Sequence, residues 1–344
     1  MANKYDVIII GAGPAGLAAA KVLAENKKEV LVLEKNQVAG DKVCAGGLTK
    51  KDFEDLGLPK SIAEKEFFSM DIYFNDRLIK LDLEKPWFWT CSRKELGKWQ
   101  VTEAQKAGAQ IQFNSRVTII QKDFVLVHPS TKFFFRYLIG ADGTNSIVRN
   151  FLDLKTKKII ICFHYLASQR RFNELALYFD LKKLTPTWNW IFPHQNCVSV
   201  GSGTDPKLMK IEKAKENFDD WCKRIGLEPA EYRFEAAPIN YDYQGVEFGN
   251  IFLAGDAAGV ASGVTGEGIY PAMVSGQEVA LKIINPKHNF QKLKRIIRVK
   301  KLEEILLTLY KSNPLLIKMT FGIFGLLLKT KRFRKKLIQF LTNN

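Results

Sequence analysis

Cysteine is scarce and unpaired in this 344-residue chain: five residues, at 44, 91, 162, 197 and 222, with no Cys-x-x-Cys spacing. An odd, scattered set fits a reducing compartment better than a disulfide framework. Histidine is scarcer still, with four dispersed residues at 128, 164, 194 and 288, so no metal centre is expected. No charged segment followed by an apolar stretch precedes the first strand-like run, so no secretory leader is expected and the location expected is cytoplasmic. A membrane-spanning helix needs ~20 apolar residues. The best candidate, residues 314–328, is shorter and interrupted by Lys318. What the chain does have is 46% apolar residues, enough to bury a large core in two domains or one elaborated domain.

Charge is divided unevenly. Of 52 Lys and Arg, 16 lie from Lys282 onward, against two Glu, while the remaining 36 meet 34 Asp and Glu. The body is near neutral and the C-terminal part carries the basic excess.

Residues 5–10 form a short apolar, β-branched run that reads as a buried parallel strand. Gly11-Ala12-Gly13-Pro14-Ala15-Gly16 then opens a helix over 17–25, and a second strand over 29–33 ends at Glu34. This is a βαβ unit with a dinucleotide fingerprint. The first glycine allows a tight turn, the second admits a pyrophosphate to the backbone, and the third lets helix pack on strand. The helix N-terminus offers N–H donors, and Glu34 can accept from ribose hydroxyls. A second glycine-punctuated stretch, Gly255-Asp256-Ala257-Ala258-Gly259 with the run 264–276, follows a strand at 250–254 and leads into a helix ending near 284. A single FAD spanning both stretches explains why the chain must fold back on itself. The N-terminus of that later helix is placed to stabilise negative charge on a reduced flavin, and Asp256 to accept from its ribityl hydroxyls.

Between these stretches, Ser92-Arg93-Lys94-Glu95 reads as a capping box for a helix ending at Gly108, which puts Arg93 in a first turn as either a solvated charge or a site residue. Strands follow at 111–113, 117–120, 124–127 and 133–139, the last leading into Asp142-Gly143 and a helix bearing Arg149. Residues 158–203 read as an antiparallel sheet roofing the cofactor. Within it, Trp188, Trp190 and Phe192 alternate, which places three rings on one strand face, either as core or as a pocket wall. Gly201-Ser202-Gly203 lacks a third glycine and a βαβ context, so it is no second dinucleotide turn. Cys44, in Lys42-Val43-Cys44-Ala45-Gly46-Gly47, is either a small buried thiol or a working one.

Taken together, the Gly11–Gly16 turn with Glu34, Arg93, Asp142-Gly143 with Arg149, and Gly255-Asp256 resemble the FAD-binding pattern of aromatic-hydroxylase-type flavoproteins. Lys42-Val43-Cys44-Ala45-Gly46-Gly47, Trp188-Asn189-Trp190-Ile191-Phe192-Pro193 and Gly266-Glu267-Gly268-Ile269-Tyr270-Pro271 narrow the resemblance to the geranylgeranyl reductase family. Those enzymes saturate double bonds of isoprenoid chains. The resemblance covers residues 5–284. It departs at Trp188, where the family usually has tyrosine, and at Thr185, where it usually has proline.

The resemblance implies an α/β fold: a Rossmann-like FAD-binding domain with a parallel sheet (1–65 with 92–157 and 245–284) and an antiparallel-sheet substrate domain (66–91 with 158–244). A basic helical tail (285–344) lies outside it. It implies FAD contacts from Gly11, Gly13, Pro14, Ala15, Gly16, Glu34, Lys35, Arg93, Val117, Asp142, Gly255, Asp256, Gly266, Gly268 and Ile269. Substrate contacts are expected from Trp188, Trp190, Phe192 and Tyr270, with Cys44, whose loop the resemblance places near the flavin, as candidate acid. The electron donor is NAD(P)H or a small redox protein. Residues 314–344, apolar and basic by turns, are expected to lie on an anionic membrane surface at the inner face of the cell membrane or to pack on the body as a helix pair. A nucleic-acid partner is not expected, because the aromatics there are not arranged as stacking platforms. Two other readings share the cofactor: a monooxygenase or halogenase, and a flavoprotein passing electrons to quinone.

Overall fold

The computed structural model describes residues 3–74, 77–82, 84–168, 172–179, 188–312, 319, 323, 325–327, 330 and 332–336. The chain divides into two compact units, one of residues 1–41, 93–159 and 239–302, the other of 42–92, 160–238 and 303–344.

The first unit is built on parallel strands in the order Gln110–Gln112, Val30–Leu33, Lys4–Ile10, Thr131–Gly140, Ile251–Leu253. Ile8 pairs with Leu31 on one side and Leu138 on the other, and Leu138 pairs in turn with Ile251. Val7, Ile8 and Ile9 are fully buried because both sheet faces are covered, which is why the sequence there is continuously apolar rather than alternating. The hairpin of Val117–Ile120 and Phe124–Val127 adds antiparallel to Thr131–Gly140. Helices Pro14–Glu25 and Ile269–Ile284 supply Leu17, Leu23, Val279 and Ile283 to the same core.

Helix Gln291–Ser312, expected in a separate tail from residue 285, begins within this unit. Leu293 and Ile297 are buried in its core, and the buried Lys300 donates Nζ hydrogen bonds to the carbonyls of Tyr241 (2.5 Å) and Ala261 (3.0 Å). The helix reads as basic in sequence, yet those three positions fall on one face and tie it down. Its later turns expose Val299, Leu302, Ile305, Leu306 and Leu309.

The second unit holds a seven-stranded sheet in the order Phe234–Asn240, Ile159–Ser168, Cys197–Thr204, Asn189–Pro193, Ala176–Phe179, Ser69–Phe74, Arg77–Asp82. It is not wholly antiparallel: Ala176–Phe179 runs parallel to Ser69–Phe74, two strands brought together from distant parts of the chain. One face is covered by helix Ile211–Arg224 through Phe218 and Trp221, and the other carries Met70, Ile72, Trp190 and Phe192. Residues 42–65, assigned from sequence to the nucleotide-binding domain, lie in this unit. Their strands Gly47–Thr49 and Ala63–Phe67 flank Phe88–Cys91 in a small antiparallel sheet.

Candidate functional site

The first unit presents a nucleotide cradle at the C-terminal ends of its parallel strands. Gly11 has φ +103°, and a Cβ there would lie 2.4 Å from the Ala141 carbonyl oxygen, so the turn passes too close to the next strand for any side chain. A Cβ on Gly16 would lie 2.1 Å from the Gly11 oxygen, whereas at Gly13 it would meet nothing nearer than 3.9 Å. The open side of the turn is therefore at Gly13, where a pyrophosphate could approach the backbone. Pro14 occupies the first turn of helix Pro14–Glu25, and no side chain caps it. Its first-turn donors are left for an anion.

Glu34 is buried at the end of its strand, with Oε2 accepting from the Ala12 N–H at 2.7 Å and Oε1 from the Asn36 N–H at 2.8 Å. The carboxylate thus holds the glycine turn in shape as well as offering its remaining acceptor positions to a ribose. Lys35 beside it is exposed, and Val117 is buried at the start of its strand.

The two other glycine–acid motifs are wired to each other. Asp142 Oδ2 accepts from the Ile147 N–H (2.7 Å) and Val148 N–H (3.4 Å), anchoring helix Ile147–Phe151, and Ser146 Oγ accepts from the Arg149 N–H. Burial pushes the Asp142 carboxyl above its ordinary pKa, against the pull of those hydrogen bonds. Arg149 is 1% exposed and donates to the Ala257 carbonyl (3.1 Å), the Asp242 carbonyl (2.9 Å) and Asp242 Oδ2 (3.4 Å). Burial lowers its pKa and Asp242 raises it back. Thr144 Oγ1 donates to Asp256 Oδ2 at 3.5 Å, and Asn240 Nδ2 donates to the Asp256 carbonyl at 2.8 Å. The buried Arg149 and Asn240 therefore brace the loop that carries Asp256.

Gly255 and Gly276 have a role the sequence pattern did not assign. A Cβ on Gly255 would lie 3.0 Å from Ala15 Cβ, and one on Gly276 only 2.0 Å from the Ala15 carbonyl oxygen. They let helix Ile269–Ile284 cross helix Pro14–Glu25 at backbone contact. Ser275 completes the join, its Oγ accepting from the Gly255 N–H at 2.9 Å. Gly266 has open space around it, and Gly268 caps the later helix with Asp256 Oδ1 3.9 Å from where its Cβ would be. Ile269 is buried in the first turn, next to a half-buried Tyr270.

Polar atoms left over in this unit fit FAD. Arg93, the first residue of helix Arg93–Lys106, buries Nε and NH1 without a protein partner, and Asp142 Oδ1 is likewise buried and unpaired. Guanidinium donors and a carboxylate acceptor abandoned in a protein interior are costly unless a ligand satisfies them, and a phosphate-bearing, hydroxyl-rich cofactor does both.

Comparison with known proteins agrees. Residues 4–287 match the family described as FAD binding domain. A digeranylgeranylglycerophospholipid reductase of Methanosarcina acetivorans is 30% identical over 304 residues, covering 80% of this chain and 74% of that protein. This chain belongs to the geranylgeranyl reductase family of FAD-dependent oxidoreductases. An uncharacterized protein of Methanosarcina barkeri is 33% identical over 295 residues, covering 82% of this chain and 75% of that one. The fold recurs in a geranylgeranyl bacteriochlorophyll reductase-like protein of Thermoplasma acidophilum, with a TM-score of 0.73 at 21% identity over 100% of this chain and 93% of that one.

Within this geranylgeranyl reductase family member, the second unit carries the other predicted residues. Trp188, Trp190 and Phe192 do fall on one face, with ring centroids 5.8 and 6.4 Å apart, and Phe88 stands edge-on to Phe192 at 5.2 Å. Trp190 and Phe192 are buried in the aromatic cluster, while Trp188 is half-buried at its margin. The pair Gly201 and Gly203 sits in mid-strand, and a Cβ at Gly201 would lie 2.1 Å from the Trp190 ring: that glycine makes room for the indole. Cys44 is a half-buried free thiol whose Sγ lies 3.4 Å from the Gly46 N–H.

Sequence reasoning missed two histidines here. His164 Nδ1 meets Ser199 Oγ at 2.9 Å, and that oxygen accepts from Trp190 Nε1 at 3.0 Å. His164 Nε2 meets Glu235 Oε2 at 3.3 Å. His194 links Glu64 to Ala45. Dispersed histidines signal nothing in sequence. Only the position of His194, directly after the aromatic motif, hinted at it.

Proposed function

We propose that this flavoenzyme saturates carbon–carbon double bonds of a geranylgeranyl-type isoprenoid lipid, the first unit holding FAD and the second binding the lipid chain. The observation that carries the reading is the aromatic wall of Trp190 and Phe192 on one strand face, extended by Trp188 just before that strand. The name of the Methanosarcina acetivorans relative supports the substrate class. Bound FAD, when reduced, supplies a hydride to one alkene carbon. The chain's own task is to admit a proton to the other carbon and to withstand the positive charge that protonation of a trisubstituted alkene develops. Electron-rich ring faces stabilise such a charge by about 0.5–2 kcal/mol, more where water is excluded, and the same rings exclude water. Cys44 is the candidate acid. Electrons come from NAD(P)H or a small redox protein.

A polyprenyl substrate partitions into membranes, so the enzyme must work at a bilayer surface. Among the described residues no helix is long and apolar enough to cross one. The exposed Val299, Leu302, Ile305, Leu306 and Leu309 stripe on a helix beginning Gln291-Lys292-Leu293-Lys294-Arg295 suits the interface of an anionic membrane instead. The segment first expected to bind there, 314–344, lies largely outside the described residues. Anaerobic incubation of dithionite-reduced enzyme with polyprenyl lipids of differing headgroup, read by mass spectrometry, tests the activity. A gain of two hydrogens per reduced bond is expected. Incorporated oxygen or halogen, or rapid quinone reduction with no change of lipid mass, would refute it.

A further inference from the structure

Two family motifs of the second unit are joined by a residue outside both. His194 follows the strand Asn189–Pro193, its side chain 8% exposed. Its Nε2 lies 3.1 Å from the Ala45 carbonyl oxygen, and its Nδ1 lies 2.6 Å from Glu64 Oε2. The loop it touches, Cys44–Ala45–Gly46, is pinched from the other side. Cys91 N donates to the Gly46 carbonyl at 2.9 Å, and a Cβ on Gly46 would lie 2.3 Å from the Cys91 oxygen and 2.8 Å from His194 Cε1. Thr90 Oγ1 donates to the Pro193 carbonyl at 2.7 Å, holding the base of His194 to the same strand.

The proton count at His194 is decisive. A carbonyl oxygen only accepts, and so does a carboxylate. Making both bonds requires a proton on each ring nitrogen, or one on Glu64; a neutral imidazole beside a carboxylate makes one bond and turns a lone pair towards the other acceptor. His164 is the contrast within the same sheet. The Ser199 hydroxyl can donate to its Nδ1 while Nε2–H donates to Glu235, so the neutral ring is satisfied, and burial pushes its pKa below the ordinary value.

We propose that His194 and Glu64 form a latch, closed by the proton the pair shares, that positions the Cys44–Gly46 loop for lipid reduction. His194 and Glu64 are thereby positioning residues. The other groups facing the pair are few. The strand Cys197–Thr204 brings the Cys197 thiol, kept neutral by burial and then by Glu64. The strand Ile159–Ser168 brings His164, Phe88–Cys91 brings Cys91, and the loop brings Cys44. The anchoring stands on geometry; its kinetic consequence rests on the reductase reading above.

Glu64→Gln separates this proposal from plain structural support. The introduced amide can donate to Nδ1 of a neutral ring while Nε2–H stays on Ala45, so the latch no longer needs the ionisable proton. The experiment uses FAD-loaded enzyme and two readouts: alkylation of Cys44 by iodoacetamide followed by peptide mass, and kcat for lipid reduction, both at neutral pH. Glu64→Ala and His194→Ala should label Cys44 faster at neutral pH and lower kcat by about tenfold to 100-fold, as loosened active-site geometry does. Glu64→Gln, which keeps a donor for Nδ1, should restore slow Cys44 labelling and a kcat within a few-fold of wild type. A Glu64→Gln enzyme that labels Cys44 as fast as Glu64→Ala, or that loses tenfold or more in kcat against wild type, overturns the latch. Should the alanine variants fail to fold, the comparison of wild type with Glu64→Gln still decides. The expected labelling with no lipid reduced upholds the latch and counts against the reductase reading instead.

Discussion

Gly276→Ala is the most direct test of how the cofactor site is assembled. The added Cβ would sit 2.0 Å from the Ala15 carbonyl oxygen, 2.9 Å from its carbonyl carbon and 3.1 Å from its Cα. Real Cβ contacts begin at about 3.0 Å, so the two helices must separate by about 1 Å, and the obstacle is backbone that no rotamer change can clear. Overpacking of this kind costs about 1–3 kcal/mol or more. The gain in helix propensity from Gly to Ala returns about 1 kcal/mol. With a backbone obstacle placing the cost at the upper end, a net loss of about 2 kcal/mol is expected. The displacement falls on Ala15, in the uncapped first turn of the helix that would face the FAD pyrophosphate. FAD affinity should therefore drop at least tenfold, the equivalent of about 1.4 kcal/mol. Fluorescence titration of apoprotein with FAD measures the affinity, and thermal melting measures the stability. Gly276→Val should be worse on both. Wild-type affinity and an unchanged melting temperature in Gly276→Ala would show that the helices do not need this contact.

Asp142→Asn should stabilise the apoprotein at neutral pH while weakening FAD binding, because the buried carboxyl has one oxygen without a protein partner. Its pKa is raised on folding by burial, so the folded state holds the proton longer. That contribution is fully present below the unfolded value near 3.8 and is lost as pH rises through the folded value. Melting temperatures of apo wild type and Asp142→Asn across that range should diverge as pH rises; parallel curves would remove the effect. Trp190→Phe keeps a ring in the aromatic cluster and gives up the Ser199 hydrogen bond, so stability should fall by only about 1 kcal/mol while lipid reduction slows about tenfold, indole being the stronger face for a cation. A rate unchanged in Trp190→Phe would leave the ring as core alone.

Much of the first unit was legible because its signals are local. The Gly11–Gly16 turn, the apolar run before it and Glu34 after it fall within one supersecondary unit, and each residue type has one physical use there. The strands Val117–Ile120 and Phe124–Val127 also have the bounds expected from the sequence. The Trp188, Trp190 and Phe192 face was likewise readable from strand period. Its burial was not, because that depends on Phe88 and Met70 arriving from other strands. Gly276 and Gly201 look like ordinary flexible positions in sequence. In the fold they are spaces left for a backbone and for an indole.

The division follows from the range of the interactions. Chain-local geometry determined the nucleotide turn, the parallel strands and the family, since turn stereochemistry and burial periodicity are set by neighbours within about one element. Tertiary structure alone decided where protons and orphan charges sit. Arg149 bridges to Asp242 and Ala257, Arg93 keeps buried donors for a ligand, and His194 stands between Glu64 and Ala45. A side chain's protonation and satisfaction depend on what lies across a few ångströms of space, and no spacing along the chain encodes that distance.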